Sequence, residues 1–263
     1  MIPSLAPAAA FLSAPLSNYL DAFVLADDPR PGIRVSELLR PDVLPDFLCW
    51  DGTCHERSDR RAVCSLWSLA YFHRLIPLTV MSGALLGLDL PVGMDETEVI
   101  FDEHRMPVAI RLPHEGEISV ETDPFIRFDP LVREHLEPMV TAVSRAAGIS
   151  QKLLWNNAGH LLEWLLGELS TRTVSACASC FRNATCNWNA LVRQQHWPDG
   201  DRNCLFDPVR YELVDGQPVS WRKVCCIRYL LPEHGFCSYC PHLRAKAGAD
   251  LSSTLAKPVV LAA

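Results

Sequence analysis

The chain has 263 residues, 49% of them apolar, and a formal net charge of -7. That is enough for one large domain or two small ones with a sizeable hydrophobic core. The acidic balance argues against nucleic acid as a partner, because phosphate binding needs a basic face.

The first charged residue is Asp21, so the start of the chain lacks the Lys/Arg-rich region of a secretory signal. Residues 1–35 are rich in Pro and Ala around the amphipathic stretch "SNYLDAFVLA" and are expected to form an N-terminal extension. A helix-rich domain is expected over 36–208, opening with Ser36 as an N-cap. Residues 61–76 place Val63, Leu66, Trp67, Tyr71 and Leu75 at helical spacing, which predicts a helix to about Pro77 and a second one after it. The longest uncharged run, Leu75 to Leu88, falls short of the roughly 18–20 residues of a spanning helix and contains Pro77. It reads as a buried core helix.

"TEVIFDEHRMPVAIRLP" has two β-rich runs around "DEHR", a hairpin pattern. Residues 131–147 look helical. The strongest helix is Ser150 to Leu169, with Leu154, Ala158, Leu161 and Leu165 in one stripe. A hairpin and cysteine-bearing segment is expected over 209–243, with two strands around the turn pair Asp215-Gly216. A flexible tail over 244–263 completes the chain. The expected fold class is α+β, mostly helical with β-hairpins and a small C-terminal cysteine-bearing segment.

The chain has eleven cysteines. With core enough and no export signal, they read as reduced, cytosolic thiols rather than paired staples. Four of them, Cys225, Cys226, Cys237 and Cys240, fall in "KVCCIRYLLPEHGFCSYCP". Thiolates are soft ligands, and four of them select zinc or an iron–sulfur centre. Cys237 and Cys240 would make a zinc knuckle, but Cys225 and Cys226 would not. Adjacent side chains point to opposite faces of a strand and about 100° apart on a helix. They converge more readily on a larger object, and only where the strand ends and the backbone bends. A [2Fe–2S] rhomb is such an object. Pro232 is expected to stop the strand and Gly235 to take a positive φ. The simplest division gives one iron Cys225 and Cys226, and the other Cys237 and Cys240. A structural zinc site stays open at this point.

The segment "CCIRYLLP…CSYC" resembles the C-C-x-R-Y-x-L-P…C-x-x-C ending of FhuF-type ferric-siderophore reductases, with Arg228, Tyr229, Leu231 and Pro232 in place between the cysteines. "KLLWNNAGHLLEWLL" is similar to a second family helix through Lys152, Leu153, Trp155, Asn157, Gly159, Leu161 and Trp164. "SLWSLAYFHRLIPL" is similar to a third segment. The resemblance spans roughly residues 36–243. It implies a [2Fe–2S] cluster on Cys225, Cys226, Cys237 and Cys240, and one-electron reduction of a ferric siderophore, hydroxamate-type foremost, to release Fe(II) in the cytosol. It implies a cytoplasmic protein, compatible with peripheral attachment to the inner face of the membrane. The other readings are a non-catalytic iron–sulfur carrier or iron sensor, and a zinc-stabilised siderophore-binding module.

Arg222, Lys223 and Arg228 make the cysteine segment locally basic. They could draw an anionic siderophore or an acidic donor, or raise the cluster potential by stabilising its reduced state. Arg228, Arg222, Trp155 and Asn157 are the candidate substrate contacts. Gly159 suggests close packing within a helix. Cys204 and the extra cysteines Cys177, Cys180 and Cys186 raise the question of a second thiol site, and Cys49, Cys54 and His55 have loosely ligand-like spacing. No G-x-G-x-x-G follows a strand and no phosphate loop is present. The electron must then come from a separate ferredoxin, flavoprotein or small thiol.

Overall fold

A computed structural model describes residues 2–9, 13–48, 59–176, 188–214 and 217–244. Three helices form the core: α1 (Arg60–Met81), α2 (Glu137–Ala147) and α3 (Gln151–Ala176), with α1 and α3 packed together and α2 against both. α1 is apolar around most of its circumference, and Trp67, Tyr71, Phe72, Leu75, Ile76 and Leu78 are all buried. Asp59 caps it by accepting the Arg61 N–H. The stripe Leu154, Ala158, Leu161 and Leu165 on α3 is buried as its spacing predicts. Gly148 at φ 65° ends α2, and the Ser150 hydroxyl accepts the Lys152 N–H to begin α3.

Pro77 does not end α1, which runs through it to Met81 and continues as a π-helical turn over Ser82–Leu86. The proline removes one helical bond, to the His73 carbonyl. Packing on several sides keeps the segment helical across that gap. Hydroxyls supply nearby bonds, from Thr79 to the Leu75 carbonyl at 2.7 Å and from Ser82 to the Thr79 carbonyl at 2.9 Å. The continuous segment Arg60–Leu86 is therefore long and apolar enough, by length and composition, to cross a membrane. Yet 72% of its most apolar window is buried inside the fold.

Strands β1 (Phe23–Val24), β2 (Gly32–Arg34), β4 (Glu98–Phe101) and β5 (Pro107–Arg111) form a sheet in the order β1-β5-β4-β2. β4 and β5 are the expected hairpin, with a register shift between Ile100 and Phe101. β3 (Leu88–Asp89) pairs with β6 (Glu117–Ile118), and β7 (Val209–Val214) with β8 (Gln217–Arg222). The Asp215-Gly216 turn lies outside the described residues.

The N-terminal segment is part of the fold rather than an extension. β1 pairs in parallel with β5, and Ile2, Leu5, Leu16 and Phe23 lie in the main core. Ser36 is not an N-cap: the short helix there is Val35–Leu38, with Arg34 at the cap position. The Ser36 N–H is instead taken by the Met94 carbonyl at 3.1 Å, an edge contact that overrides local preference.

One buried pair makes stability depend on pH. The Tyr71 hydroxyl meets His135 Nε2 at 2.5 Å, and His135 Nδ1 lies 2.5 Å from the Val92 carbonyl. Burial first, opposed by the Val92 carbonyl, holds the imidazole down to about 4. The unfolded chain takes up this proton near pH 6.5 and the native one does not. Stability is thus complete above about pH 6.5 and declines as pH falls toward 4, by up to about 3 kcal/mol. Urea titrations between pH 7.5 and 4.5 should show this slope, and His135→Asn should flatten it. An equal slope in the variant would remove His135 from the account.

Candidate iron–sulfur site

The cysteine segment starts where β8 ends. Three backbone ties fasten it there. Arg222 N donates to the Tyr239 carbonyl at 2.9 Å, Lys223 N to the Pro208 carbonyl at 3.1 Å, and Val224 N to Asn156 Oδ1 at 3.2 Å. Asn156 Nδ2 also donates to the Pro208 carbonyl, at 2.7 Å. A Cβ on Gly159 would stand 2.9 Å from Pro208 Cβ. The helix glycine therefore lets α3 approach Pro208 closely, so that Asn156 can reach both ends of this junction.

Beyond β8 the backbone turns sharply. Ile227 has φ 54°, a left-handed conformation that costs a β-branched residue about 1–3 kcal/mol. Its side chain packs with Ala62, Val63 and Leu231, and Ser65 Oγ donates to the Cys226 carbonyl at 2.7 Å. α1 thus holds the bend on both sides of Ile227. The expected devices are not used. β8 stops well before Pro232, and Gly235 is not left-handed; its carbonyl accepts Arg228 Nε at 3.0 Å. No sequence pattern marks Ile227, because isoleucine is disfavoured where it sits.

The bend brings the two cysteine couples into contact. Cys225 Sγ lies 3.9 Å from Cys240 Sγ, and the Ile227 N–H points at Cys225 Sγ from 3.3 Å. The Cys225 and Cys237 thiols both act on Cys226. Contacts therefore run between the two cysteine couples, as well as within the first. Cys226 and Cys240 are buried, while Cys225 and Cys237 are half-buried. The Cys226 thiol is held far below its usual range, to about 2, by the Cys225 and Cys237 thiols, with Arg222 adding positive charge. Cys225 and Cys237 are pushed up, chiefly because each bonds that thiolate. Among the described residues no group of three or more His, Cys, Asp or Glu side chains is arranged to hold a metal ion. By its chemistry the donor set fits a [2Fe–2S] group: four thiols in one segment with two of them in contact, a backbone N–H on one sulfur, and one buried cation nearby.

Mild oxidation of the apoprotein with diamide should trap the cross-couple contact. The expected product on peptide mapping is a Cys225–Cys240 disulfide. A dominant Cys237–Cys240 product would contradict the packing.

Arg222 and Asn157 are buried and bonded to each other, from the guanidinium to Asn157 Oδ1. Trp155 is buried in the main core. Of the four candidate substrate contacts, Arg228 alone keeps partial exposure. Lys223 is paired with Asp207. The sequence reading passed over Ser65, Asn156 and His160. The first two look like ordinary helix residues. The His160 ring lies tilted against Tyr239, 4.9 Å between centroids, and burial, then Arg222 and His73, hold it down to about 3.

Beside Tyr239 lies a cavity of about 180 Å³, lined by His160, Glu163, Trp164, Tyr211 and Ser220 among others. Glu163 is engaged there by Tyr211 at 2.5 Å and by Arg193. A larger cavity of about 350 Å³ includes no residue of the cysteine segment, and its Arg127 is already paired with Asp89. Cys204 is exposed, and its thiol is pushed up by burial and then Glu137. Cys49, Cys54, His55, Cys177, Cys180 and Cys186 lie outside the described residues.

The chain is 26% identical over 247 residues to the ferric siderophore reductase of Escherichia coli (strain K12), covering 90% of each. The solved aerobactin synthetase IucA from Klebsiella pneumoniae is similar at 15% identity and TM-score 0.49, over 74% of this chain and 38% of that one. The family described as ferric iron reductase FhuF-like transporter matches residues 65–218, which include most of α1, all of α2, α3 and β7, and stop before Cys225, Cys226, Cys237 and Cys240. Together with the length of that match, this assigns the chain to the FhuF-like family.

Proposed function

We propose that this protein is a ferric-siderophore reductase whose electron site is held by Cys225, Cys226, Cys237 and Cys240. The observation that carries the reading is the convergence of these sulfurs, with Cys225 and Cys240 in contact at 3.9 Å. The printed activity of the Escherichia coli relative supports the substrate class. When bound, a [2Fe–2S] group holds one electron at a potential set by charge, hydrogen bonds to sulfur and exposure. Reduction makes siderophore iron larger, softer and more labile, so its oxygen cage loosens.

The protein's own part is to hold, bias and expose. Ser65 and Asn156 fix the bend, and Ile227 donates to Cys225. The half-buried Cys225 and Cys237 put one side of the sulfur group near solvent, where substrate and a separate donor can each approach. Arg228, partly exposed, is the nearest candidate for an anionic complex. Thiols in contact would pair in an oxidising compartment, which favours the cytoplasm. Hydroxamate complexes are the easier electron acceptors, because catecholate oxygens hold Fe(III) more strongly and make its reduction harder.

The test mixes dithionite-reduced protein, freed of excess dithionite, with ferric hydroxamate and catecholate complexes beside an Fe(II) chelator. Bleached protein should reoxidise as the Fe(II)–chelator colour grows, faster with hydroxamates. Failure with every complex would favour a carrier or sensor.

A further inference from the structure

Arg222 is 4% exposed, yet its side-chain partners are uncharged: Asn157 Oδ1, and the Val224 carbonyl at 3.3 Å. Among the described residues it forms no ion pair with a carboxylate. A buried guanidinium without a counter-charge is expensive. The neighbouring histidines, His73 and His160, are both held neutral by burial. The remaining groups that can carry negative charge beside it are the cysteine sulfurs, Cys226 and Cys237 foremost.

The arginine is aimed rather than merely buried. Asn157 Nδ2 donates to Ser65 Oγ and Ser68 Oγ, each at 3.2 Å, which fixes the amide and presents Oδ1 to Arg222. Ser65 in turn holds the Cys226 carbonyl. One connected network from α1 and α3 therefore sets both the charge and the innermost cysteine. The other nearby cations differ. Lys223 is exposed and paired with Asp207, and Arg228 is partly exposed, with its Nε on the Gly235 carbonyl.

Resting on the reading of a cluster at these cysteines, we propose that Arg222, oriented by Asn157, is the residue that sets the reduction potential of this site. Its fixed positive charge stabilises the reduced, more negative state. Arg222 is a positioning and electrostatic residue and touches no substrate. Because it is buried, its effect resists screening by salt, unlike that of Lys223.

The test is the midpoint potential of the intact, cluster-loaded protein, read optically against redox dyes, with the visible spectrum as a check on assembly. Arg222→Gln should make the reduction equilibrium about tenfold less favourable, a fall of about 59 mV for one electron. Arg222→Lys should keep most of the wild-type potential. Asn157→Asp, which sets a carboxylate beside the guanidinium without changing volume, should lower it as Arg222→Gln does. Lys223→Gln should change it far less. Wild-type-like potentials in loaded Arg222→Gln or Asn157→Asp would overturn the proposal. So would loss of the cluster from both, which would mean the network retains the cluster rather than tunes it. If wild-type protein itself shows no [2Fe–2S] spectrum, the functional reading fails instead.

Discussion

Cys226→Ser, purified without oxygen, is expected to come off the column colourless, while Cys204→Ser keeps the wild-type spectrum. Cys226 is the innermost sulfur, 1% exposed and in contact with both Cys225 and Cys237. Its carbonyl is tied to Ser65 at 2.7 Å, so the ligand cannot swing aside or be replaced by a neighbour. A serine oxygen is harder and reaches less far than a thiolate. The expected effect is loss of essentially all bound iron. Cys204 lies outside the sulfur group and is the control. A normal spectrum from Cys226→Ser would refute the ligand assignment.

The second large effect concerns folding. Asn157→Leu keeps the side-chain volume but leaves Arg222 buried without its amide partner and removes the bonds to Ser65 and Ser68. Leaving a buried group short of its hydrogen-bond partner costs about 1–3 kcal/mol, toward the upper end for a charged group. Urea denaturation should show a loss of that order. Adding Arg222→Met to Asn157→Leu should recover part of it, because an apolar pair leaves no stranded charge. A loss below about 1 kcal/mol, or no recovery in the double variant, would show that the network is not structurally coupled.

The parts of this protein that were legible in the sequence are those with a period or a spacing. The α3 stripe and the β4–β5 hairpin each repeat a chemical preference over several residues, and each is found where its pattern puts it. What stayed hidden depends on contacts between distant segments. β1 has two residues and gains its bonds from β5, more than eighty positions later, so residues 1–35 gave no strand signal. Pro77 reads as a breaker, but tertiary packing of α1 outweighs one missing bond. Arg222 reads as a candidate substrate contact in a locally basic segment, and its burial follows only once Asn157 stands opposite. The bend was expected at a glycine and falls at Ile227, where apolar packing against Ala62 and Val63 offsets the backbone strain.

Electron storage at the four cysteines is the claim on which the rest depends, and the metal content of protein purified under argon tests it most directly. The account expects a coloured protein with the absorption of a [2Fe–2S] centre, bleached by dithionite, carrying about two irons and two acid-labile sulfides per chain. A colourless protein with one tightly held zinc would contradict it.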